Sequence, residues 1–433
     1  MARPLATLLV MLALISLPVA ASAAAAVAGK ESAAPPIGPS INKGRAGTYL
    51  VETRQAGYNY YVFVPASYSD ANPAGLHVHF HGQASQKTAP NFDNWNKYFL
   101  TPYNLIGINM QYMDGDNTHD TEGKLKTAQG AIAQVMADYK IIAGRGAICS
   151  FSGGGCVHGM FAAKFSKDRG VEWPFCQSAL YSSNYRVEAT IGTPMGWYIG
   201  VGTKEWSLAS LGSDAKARTG ELLSAIAKGG DPDVLFNVIQ DKDHTILEVD
   251  VQEAGKIFPR SDLAYAPFLY APDYPDKELR QIVAGANALQ LGGASAAVAK
   301  LLAKADLVGD LKKKAEDLDA RIIARIDRVT AMAKELCAND PVLAAFYLPM
   351  FINQCKGSAS EKGLRAMSSA ASKEKGFSAT LAAHAQFTKN FSSLMPGDAR
   401  IPPDKKKEVD SLNAHFPATS LIGRMVTNLL SLK

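Results

Sequence analysis

Over roughly the first two thirds of the chain, short apolar runs alternate with segments whose apolar residues recur at helical spacing. The first two runs are joined by a turn at 55–57 and predict an antiparallel pair, whereas continuous apolar runs such as 105–111 are typical of buried parallel strands. This alternation predicts an α/β fold with a mostly parallel sheet that is covered by helices on both faces. Strands are predicted at 47–53, 58–65, 76–80, 105–111, 147–151, 177–181, 197–202 and 234–240, and helices at 125–139 and 213–228.

The last third of the chain has a different pattern. From about Asp276 it is rich in alanine and lysine and has no convincing strand. We expect residues 46–275 to form the α/β domain and residues 276–433 an all-α domain, which could cover the active site, mediate assembly or bind a surface. Within it, Leu318, Ile322, Ile326 and Val329 form a stripe that predicts a core-facing helix side. Helices are predicted at 278–290, 294–305, 311–337, 341–352, 360–372, 378–390 and 405–415.

The chain begins with a segment typical of a secretory signal peptide. Residues 1–23 have a basic start, a short apolar run and the small residues Ala21-Ser22-Ala23, which suit a cleavage site. An uncleaved anchor is the alternative. Residues 24–45, rich in Ala, Pro, Gly and Ser, predict a disordered lead-in. We therefore expect an exported protein, periplasmic or extracellular, with no membrane span in its mature part.

Charge and cysteine content narrow the function further. The formal net charge is +5, with acidic and basic residues interspersed, so nothing indicates a nucleic-acid surface. The chain has five cysteines, an odd number for an exported protein. Cys149 fits a buried free thiol, while Cys337 with Cys355 and Cys156 with Cys176 could form disulfides; the sequence does not settle the pairing.

The segment 145–160 carries the main candidate for catalysis. An apolar strand runs into small residues around Ser152 and then into residues that can start a helix. This is the pattern of a nucleophile elbow, where the serine sits on a strained strand-to-helix turn and its neighbours must be small. Those neighbours are Ser150 and Gly154, so serine stands where the motif usually has glycine.

An activated serine needs a base and an acid that orients the base. His244 follows the strand predicted at 234–240, and Glu205 follows the strand predicted at 197–202. Carboxyl ends of parallel strands meet at one edge of a sheet, so we expect Ser152, Glu205 and His244 to form a triad there. Asp241, Asp243 and Asp214 are alternative acids, but an aspartate so close to the histidine usually points elsewhere.

The same edge should supply the oxyanion hole and the substrate pocket. The backbone N–H groups of Gly153 and Gln83 are the candidate oxyanion donors, and Gly82 would allow the sharp loop that this requires. Three aromatic residues could line the pocket, although core packing is the more common role for such side chains. They are Tyr112, Phe151 and Trp206.

The other polar residues give weaker indications of function. His77 and His79 share one face of a strand and are more often packed in a core than bound to metal. The segment 114–117 has oxygen ligands without the spacing of a calcium loop, and His158 fits a structural role. We expect no metal and no cofactor.

Taken together, these motifs resemble the α/β-hydrolases over residues 47–255, especially secreted esterases of the polyhydroxyalkanoate depolymerase and feruloyl esterase group. The resemblance rests on Tyr60, Phe63, Val64-Pro65, His81-Gly82, the elbow at Ser152 and the final His244. It implies an exported carboxylesterase that forms an acyl-enzyme on Ser152 and acts on a small-molecule or polymeric ester.

Two alternatives remain open at this point. A peptidase of the prolyl-oligopeptidase type shares the scaffold and the order of the triad, but usually carries a large N-terminal domain. A hydrolase-like scaffold without activity could instead bind a ligand or protein partner, or self-assemble, through its helical domain. Ser150 in the elbow and the unassigned helices would suit that second alternative.

Overall fold

A computed structural model describes residues 46–51, 59–82, 92–110, 121–159, 175–183, 195–207 and 233–384, with short pieces at 406–407, 410–411, 414–416, 420 and 423–427. The described residues form one sheet of eight strands. The strands are β1 (Gly47–Val51), β2 (Tyr60–Val64), β3 (Ala74–Phe80), β4 (Leu105–Met110), β5 (Ile141–Ser152), β6 (Gln177–Ser183), β7 (Gly196–Gly202) and β8 (Val234–Ile239).

The spatial order of the strands is β1-β2-β4-β3-β5-β6-β7-β8. β2 pairs antiparallel with β1 and β4, and every other pairing is parallel. The predicted mostly parallel sheet with an antiparallel opening is therefore confirmed. Since β3 and β5 to β8 all run in one direction, the loops that follow them meet at a single edge of the sheet.

Helices cover both faces of this sheet. In chain order, the main helices of the described residues are α1 (Thr121–Asp138), α2 (Thr203–Ser207), α3 (Glu248–Tyr265), α4 (Lys277–Asn287), α5 (Leu291–Leu302), α6 (Gly309–Asn339), α7 (Pro341–Gln354) and α8 (Glu361–Lys373). On one face, α1 packs Leu125, Ile132 and Val135 against β2, β3 and β4. On the other, α3 packs Val251 and Ile257 against β6 and β7. Alternate residues of a strand feed the two cores, as Ile148 and Cys149 do.

The helical region shares the second of these cores. One apolar cluster runs from β6 and β7 through α3 to α6 and α7. The predicted stripe of α6 is buried, since Leu318, Ile322 and Val329 are 0 % exposed. Polar contacts tie the same elements together, because Arg325 of α6 lies 2.8 Å from a carboxylate oxygen of Asp262 in α3. The apolar side of α6 is thus covered by the chain itself.

Two differences from the sequence prediction concern element bounds and cysteines. β5 begins at Ile141, six residues before the predicted start at 147, because the small residues around Gly144 hid the first part of the strand. All five cysteines are free thiols, so neither considered disulfide forms; the Cys176 thiol donates to the Gly146 carbonyl instead. The predicted helix at 213–228 lies outside the described residues, as do 385–390 and nearly half of 405–415, whereas residues 377–384 are helical as predicted. Among the described helices, none combines the length and the apolar character needed to cross a membrane.

Candidate active site

Ser152 sits on a sharp turn between a strand and a helix. It is the last residue of β5, and residues 154–159 after it are helical. Its φ angle is +50°, a left-handed conformation that is uncommon for a residue other than glycine. Such strain persists only where the surroundings hold it, and it is the geometry of a nucleophile elbow.

Glycines allow the turn to pack closely against the loop after β3. A Cβ atom on Gly154 would lie 2.3 Å from the Phe80 carbonyl oxygen, so only glycine fits beside that backbone. A Cβ atom on Gly82 would lie 3.2 Å from the Cβ atom of Ser152. The loop that follows β3 therefore touches the nucleophile, as the proposed oxyanion hole requires.

The structure brings Ser152, His244 and Glu205 into one hydrogen-bonded row. The Nε2 atom of His244 lies 2.7 Å from the Oγ atom of Ser152, and its Nδ1 atom lies 2.8 Å from the Oε1 atom of Glu205. Because a carboxylate only accepts, Nδ1 carries a hydrogen and neutral His244 leaves Nε2 free to accept the serine proton. This is the arrangement that activates a serine nucleophile.

Glu205 is held as a carboxylate. It is buried, with 2 % of its surface exposed, in the short helix α2 directly after β7. Burial alone would raise the pKa of Glu205, but the hydrogen bond from His244, the neighbouring Ser182 and the positive charge of Lys242 outweigh it, so the pKa lies below its usual value. The negative charge therefore persists at neutral pH, where it would stabilise the imidazolium formed when His244 takes a proton.

The loop that carries His244 is anchored by a buried ion pair. The Nζ atom of Lys242 lies 2.7 Å from a carboxylate oxygen of Asp250, and both side chains are fully buried. Asp250 also accepts hydrogen bonds from the Tyr198 hydroxyl and from the backbone N–H of Leu247. The two charged residues lie on either side of His244 along the chain, so the pair fixes both ends of the loop.

The other candidate acids do not fill the same role. Asp241 and Asp243 are exposed, and the backbone N–H of Asp241 donates to Thr203. Asp214 lies outside the described residues, as do Gln83 and Tyr112. The side chain of Trp206 is also outside the described part, although its backbone belongs to α2.

Phe151, one of the candidates for the pocket wall, lies beside the row of Glu205, His244 and Ser152. Its ring lies against the ring of His244, with centroids 4.8 Å apart and an angle of 33° between the planes. This contact restricts the orientation of the imidazole from the side of β5.

The polar residues behind the elbow form two buried groups. The Oγ atom of Ser150 lies 3.0 Å from the Nδ1 atom of His158, which packs within the chain as predicted. His77 and His79 flank the thiol of Cys149, with 3.1 Å between the Nδ1 atom of His79 and Sγ. Burial lowers the pKa of His77 and of His158 to about 3, so both rings are neutral.

Sequence inspection missed several residues that support the site. Lys242, Asp250 and Ser183 carry no motif, and charged residues next to a histidine usually indicate a solvated loop. The spacing of eight residues between Lys242 and Asp250, across the start of α3, is the one local signal that could have suggested their pairing.

A separate cleft of about 980 Å³ lies at the opposite ends of the strands, near the start of β5. Its charged lining is largely paired, since Lys140 lies 2.6 Å from Asp273 and Arg145 lies 2.9 Å from Asp262. Of the described residues that line this cleft, none belongs to the row around Ser152. The cleft and the row of Glu205, His244 and Ser152 therefore lie at opposite edges of the sheet.

Comparison with known proteins finds solved esterases that are similar to part of the chain. Esterase 2 of Thermogutta terrifontis, phosphorylated by paraoxon, matches at 14 % identity with a TM-score of 0.37, covering 50 % of this chain and 94 % of that one. A ferulic acid esterase from Anaeromyces mucronatus matches at 10 % identity with a TM-score of 0.34, covering 52 % and 94 %. No family model and no curated protein matches the chain.

Three features define the fold class of this chain. They are the order of the strands, the left-handed Ser152 at the end of β5, and the hydrogen-bonded row of Glu205, His244 and Ser152 at the carboxyl edge of the sheet. The chain has an α/β-hydrolase architecture with an additional helical region. The solved structures above resemble about half of it, and at such low identities the reaction must be argued from the geometry around Ser152.

Proposed function

We propose that this protein is a serine hydrolase that cleaves carboxylic esters through an acyl-enzyme on Ser152. The observation that carries the proposal is the continuous row from Glu205 through His244 to Ser152, with contacts of 2.8 and 2.7 Å. An inactive scaffold, the alternative considered above, would have no need of this row. The serine at position 150 does not disturb the contacts of the row.

The first half of the reaction forms the acyl-enzyme. His244 takes the proton of Ser152 at Nε2 while Oγ attacks the ester carbonyl, and Glu205 stabilises the resulting imidazolium. The tetrahedral oxyanion accepts hydrogen bonds from the N–H of Gly153 and, in this proposal, from that of Gln83. The imidazolium then protonates the departing alcohol as the carbon–oxygen bond breaks.

The second half returns the free enzyme. Water takes the place of the alcohol, His244 removes its proton, and the hydroxide attacks the acyl carbonyl. Collapse of the second tetrahedral intermediate expels Ser152 Oγ, which regains its proton from His244. The acid product leaves, and the proposed chemistry uses no metal or cofactor.

The segment 1–23, which is typical of a secretory signal peptide, supports an exported site of action.

Labelling with a fluorophosphonate tests the proposal. We expect one adduct on the peptide that contains Ser152, no adduct in Ser152→Ala, and slow or absent labelling in His244→Ala. A folded wild-type protein that is not labelled would overturn the hydrolase proposal. A panel of p-nitrophenyl esters and matched p-nitroanilides then separates an esterase from a peptidase, and faster cleavage of the anilides would favour the peptidase.

A further inference from the structure

A bulge in β6 places a serine directly beside the nucleophile. Phe151 is paired with Tyr181, but the next residue, Ser152, is paired with Ser183, so Ser182 is the extra residue. Ser182 has a φ of +46°, a second left-handed residue next to that of Ser152. Bulges beside active sites serve to re-aim side chains, and here the bulge turns the Ser183 hydroxyl toward the elbow.

From Ser183 a row of polar groups leads back beneath the elbow. The Oγ atom of Ser183 lies 3.4 Å from the carbonyl oxygen of Ser152, long for a hydroxyl–carbonyl hydrogen bond, and 2.9 Å from the Oγ atom of Ser150. Ser150 lies 3.0 Å from Nδ1 of His158, and Nε2 of the same ring lies 3.0 Å from the Oγ atom of Ser178. Ser150, His158 and Ser178 are fully buried.

Counting protons fixes the direction of this row. The carbonyl of Ser152 only accepts, so Ser183 donates its one proton there and must accept from Ser150. Ser150 then has no proton left for His158 and accepts from Nδ1–H. Burial keeps the ring neutral by lowering its pKa to about 3, so Nε2 is bare and accepts from Ser178. Every donor points toward the nucleophile.

This row of hydrogen bonds ends at the Ser152–Gly153 peptide, which takes part in the proposed reaction. The carbonyl of Ser152 and the N–H of Gly153 belong to one planar peptide unit, and this N–H is the oxyanion donor in the proposed mechanism. A hydrogen bond to the carbonyl holds the plane in place, and it also draws electron density toward the oxygen, which strengthens the N–H as a donor. Hydrogen bonds in a row reinforce one another in this way.

We propose that Ser183 is a positioning residue that orients and polarises the Ser152–Gly153 peptide for oxyanion stabilisation. In this arrangement His158 donates a hydrogen bond to Ser150, and Ser150 donates one to Ser183. The proposal rests on the proposed function, since it concerns the oxyanion hole of that reaction. It also accounts for the unusual elbow: serine at position 150 is a member of the row, and a glycine there would interrupt it.

The kinetic test uses Ser183→Ala, with Ser183→Thr to restore the hydroxyl. Loss of one neutral hydrogen bond is worth about a kcal/mol, so we expect kcat to fall roughly five- to tenfold in Ser183→Ala. KM should stay nearly unchanged, and the affinity for a trifluoromethyl ketone that mimics the tetrahedral intermediate should fall by the same factor as kcat. Ser183→Thr should recover most of both losses.

Two further variants separate this role from a purely structural one. Ser150→Gly, which creates the more common elbow sequence, should lower kcat several-fold and not raise it. Ser261→Ala removes an equally buried serine from α3, far from the elbow, and should leave the ratio of ketone affinity to KM unchanged. If Ser183→Ala and Ser150→Gly both match the wild type in kcat and ketone affinity, the proposal is wrong.

A spectroscopic test does not depend on turnover. Nitrogen-15 NMR of the imidazole groups reports which nitrogen of His158 carries the hydrogen, and we expect Nδ1–H in the wild type. A ring protonated at Nε2 would reverse the row and overturn the proposal even in an active enzyme. Conversely, a wild type that neither hydrolyses esters nor reacts with fluorophosphonate refutes the proposed function, while the tautomer still decides the direction of the row.

Discussion

The Nε2 atom of His244 lies 2.7 Å from the Oγ atom of Ser152, although the two residues are 92 positions apart. The sheet creates this contact because β5 and β8 are parallel strands whose carboxyl ends open onto the same edge. A buried ion pair then holds the histidine loop, and a bulge in β6 supports the serine turn. Each of these supports predicts a measurable effect.

Replacing Glu205 by glutamine should remove the charge that steadies His244 while keeping the size of the side chain. We expect kcat to fall by on the order of 10³ to 10⁴, with little change in KM, because an amide would favour the wrong tautomer of the histidine. Steady-state kinetics with a p-nitrophenyl ester measures this. Asp241→Asn and Asp243→Asn serve as controls, since both aspartates are exposed, and should change kcat less than twofold. A larger loss in either control than in Glu205→Gln would reassign the acid.

Gly154 in the turn and Gly293 in α5 should differ sharply in whether they tolerate replacement by alanine. Gly154→Ala would push a Cβ atom to within 2.3 Å of the Phe80 carbonyl oxygen, so the turn must shift, and we expect both stability and labelling of Ser152 to be lost. Gly293→Ala in α5 is the matched control, because nothing lies within 4 Å of its added Cβ atom. There alanine should raise the free energy of unfolding by about 0.5–1 kcal/mol. Urea unfolding and fluorophosphonate labelling of both variants test the contrast.

The strands and the order of the candidate site residues could be predicted from the sequence, whereas contacts that depend on how neighbouring strands pair could not. The strand runs and the order of Ser152, Glu205 and His244 were predictable, because the parallel-strand rule converts chain order into a common edge. The start of β5 was hidden, since its first part lacks a continuous apolar run. The partners of Ser150 were hidden as well, because a bulge at Ser182 leaves no trace in composition and changes which side chain faces the elbow.

The Lys242–Asp250 pair shows the same limit for charged residues. Both look like parts of a solvated loop, yet both are fully buried. Lys242→Met should leave the Asp250 carboxylate without its positively charged partner and lower the free energy of unfolding by about 3–5 kcal/mol. The His244 loop would loosen, so kcat should fall as well. Lys256→Met removes an exposed lysine from its pair with Glu253, which keeps Arg424 as a second partner, and should cost less than about 1 kcal/mol. Equal effects of the two substitutions in urea unfolding would refute the anchoring role.

A second buried charge joins the helical region to the sheet region. Arg325 of α6 is fully buried, and its guanidinium donates to the Asp262 carboxylate and to the carbonyl of Ala266. Arg325→Met should lower the free energy of unfolding by roughly 3–5 kcal/mol, because the buried Asp262 would lose one of the two guanidinium groups that contact it among the described residues, the other being that of Arg145. Arg321→Met, one turn earlier, breaks an exposed pair with Asp317 and should have a small effect. Thermal and urea unfolding of the two variants at neutral pH make the comparison.

Buried neutral histidines should make the fold sensitive to mild acid. Burial holds the pKa of His77 and of His158 at about 3, and that of His79 well below its usual value, whereas an unfolded histidine titrates near 6.5. Between these two pKa values the unfolded chain binds protons on these histidines and the folded chain does not. The free energy of unfolding is therefore highest above about pH 6.5 and decreases as the pH falls. Each histidine contributes up to about 1.4 kcal/mol per pH unit.

Urea unfolding at intervals from pH 7 to pH 4.5 measures this slope above the range in which carboxylates with lowered pKa, such as that of Asp262, begin to contribute. We expect a steep decrease that corresponds to about four protons taken up on unfolding, because burial also lowers the pKa of His384, to about 4. His158→Gln should reduce the slope by about one proton, whatever its effect on stability at neutral pH. His415→Gln, at an exposed position, is the control and should leave the slope unchanged. An unfolding free energy that stays constant from pH 7 to pH 4.5 would show that these histidines take up protons as readily in the folded chain as in the unfolded chain, and the stabilising effect of keeping them neutral would then be refuted.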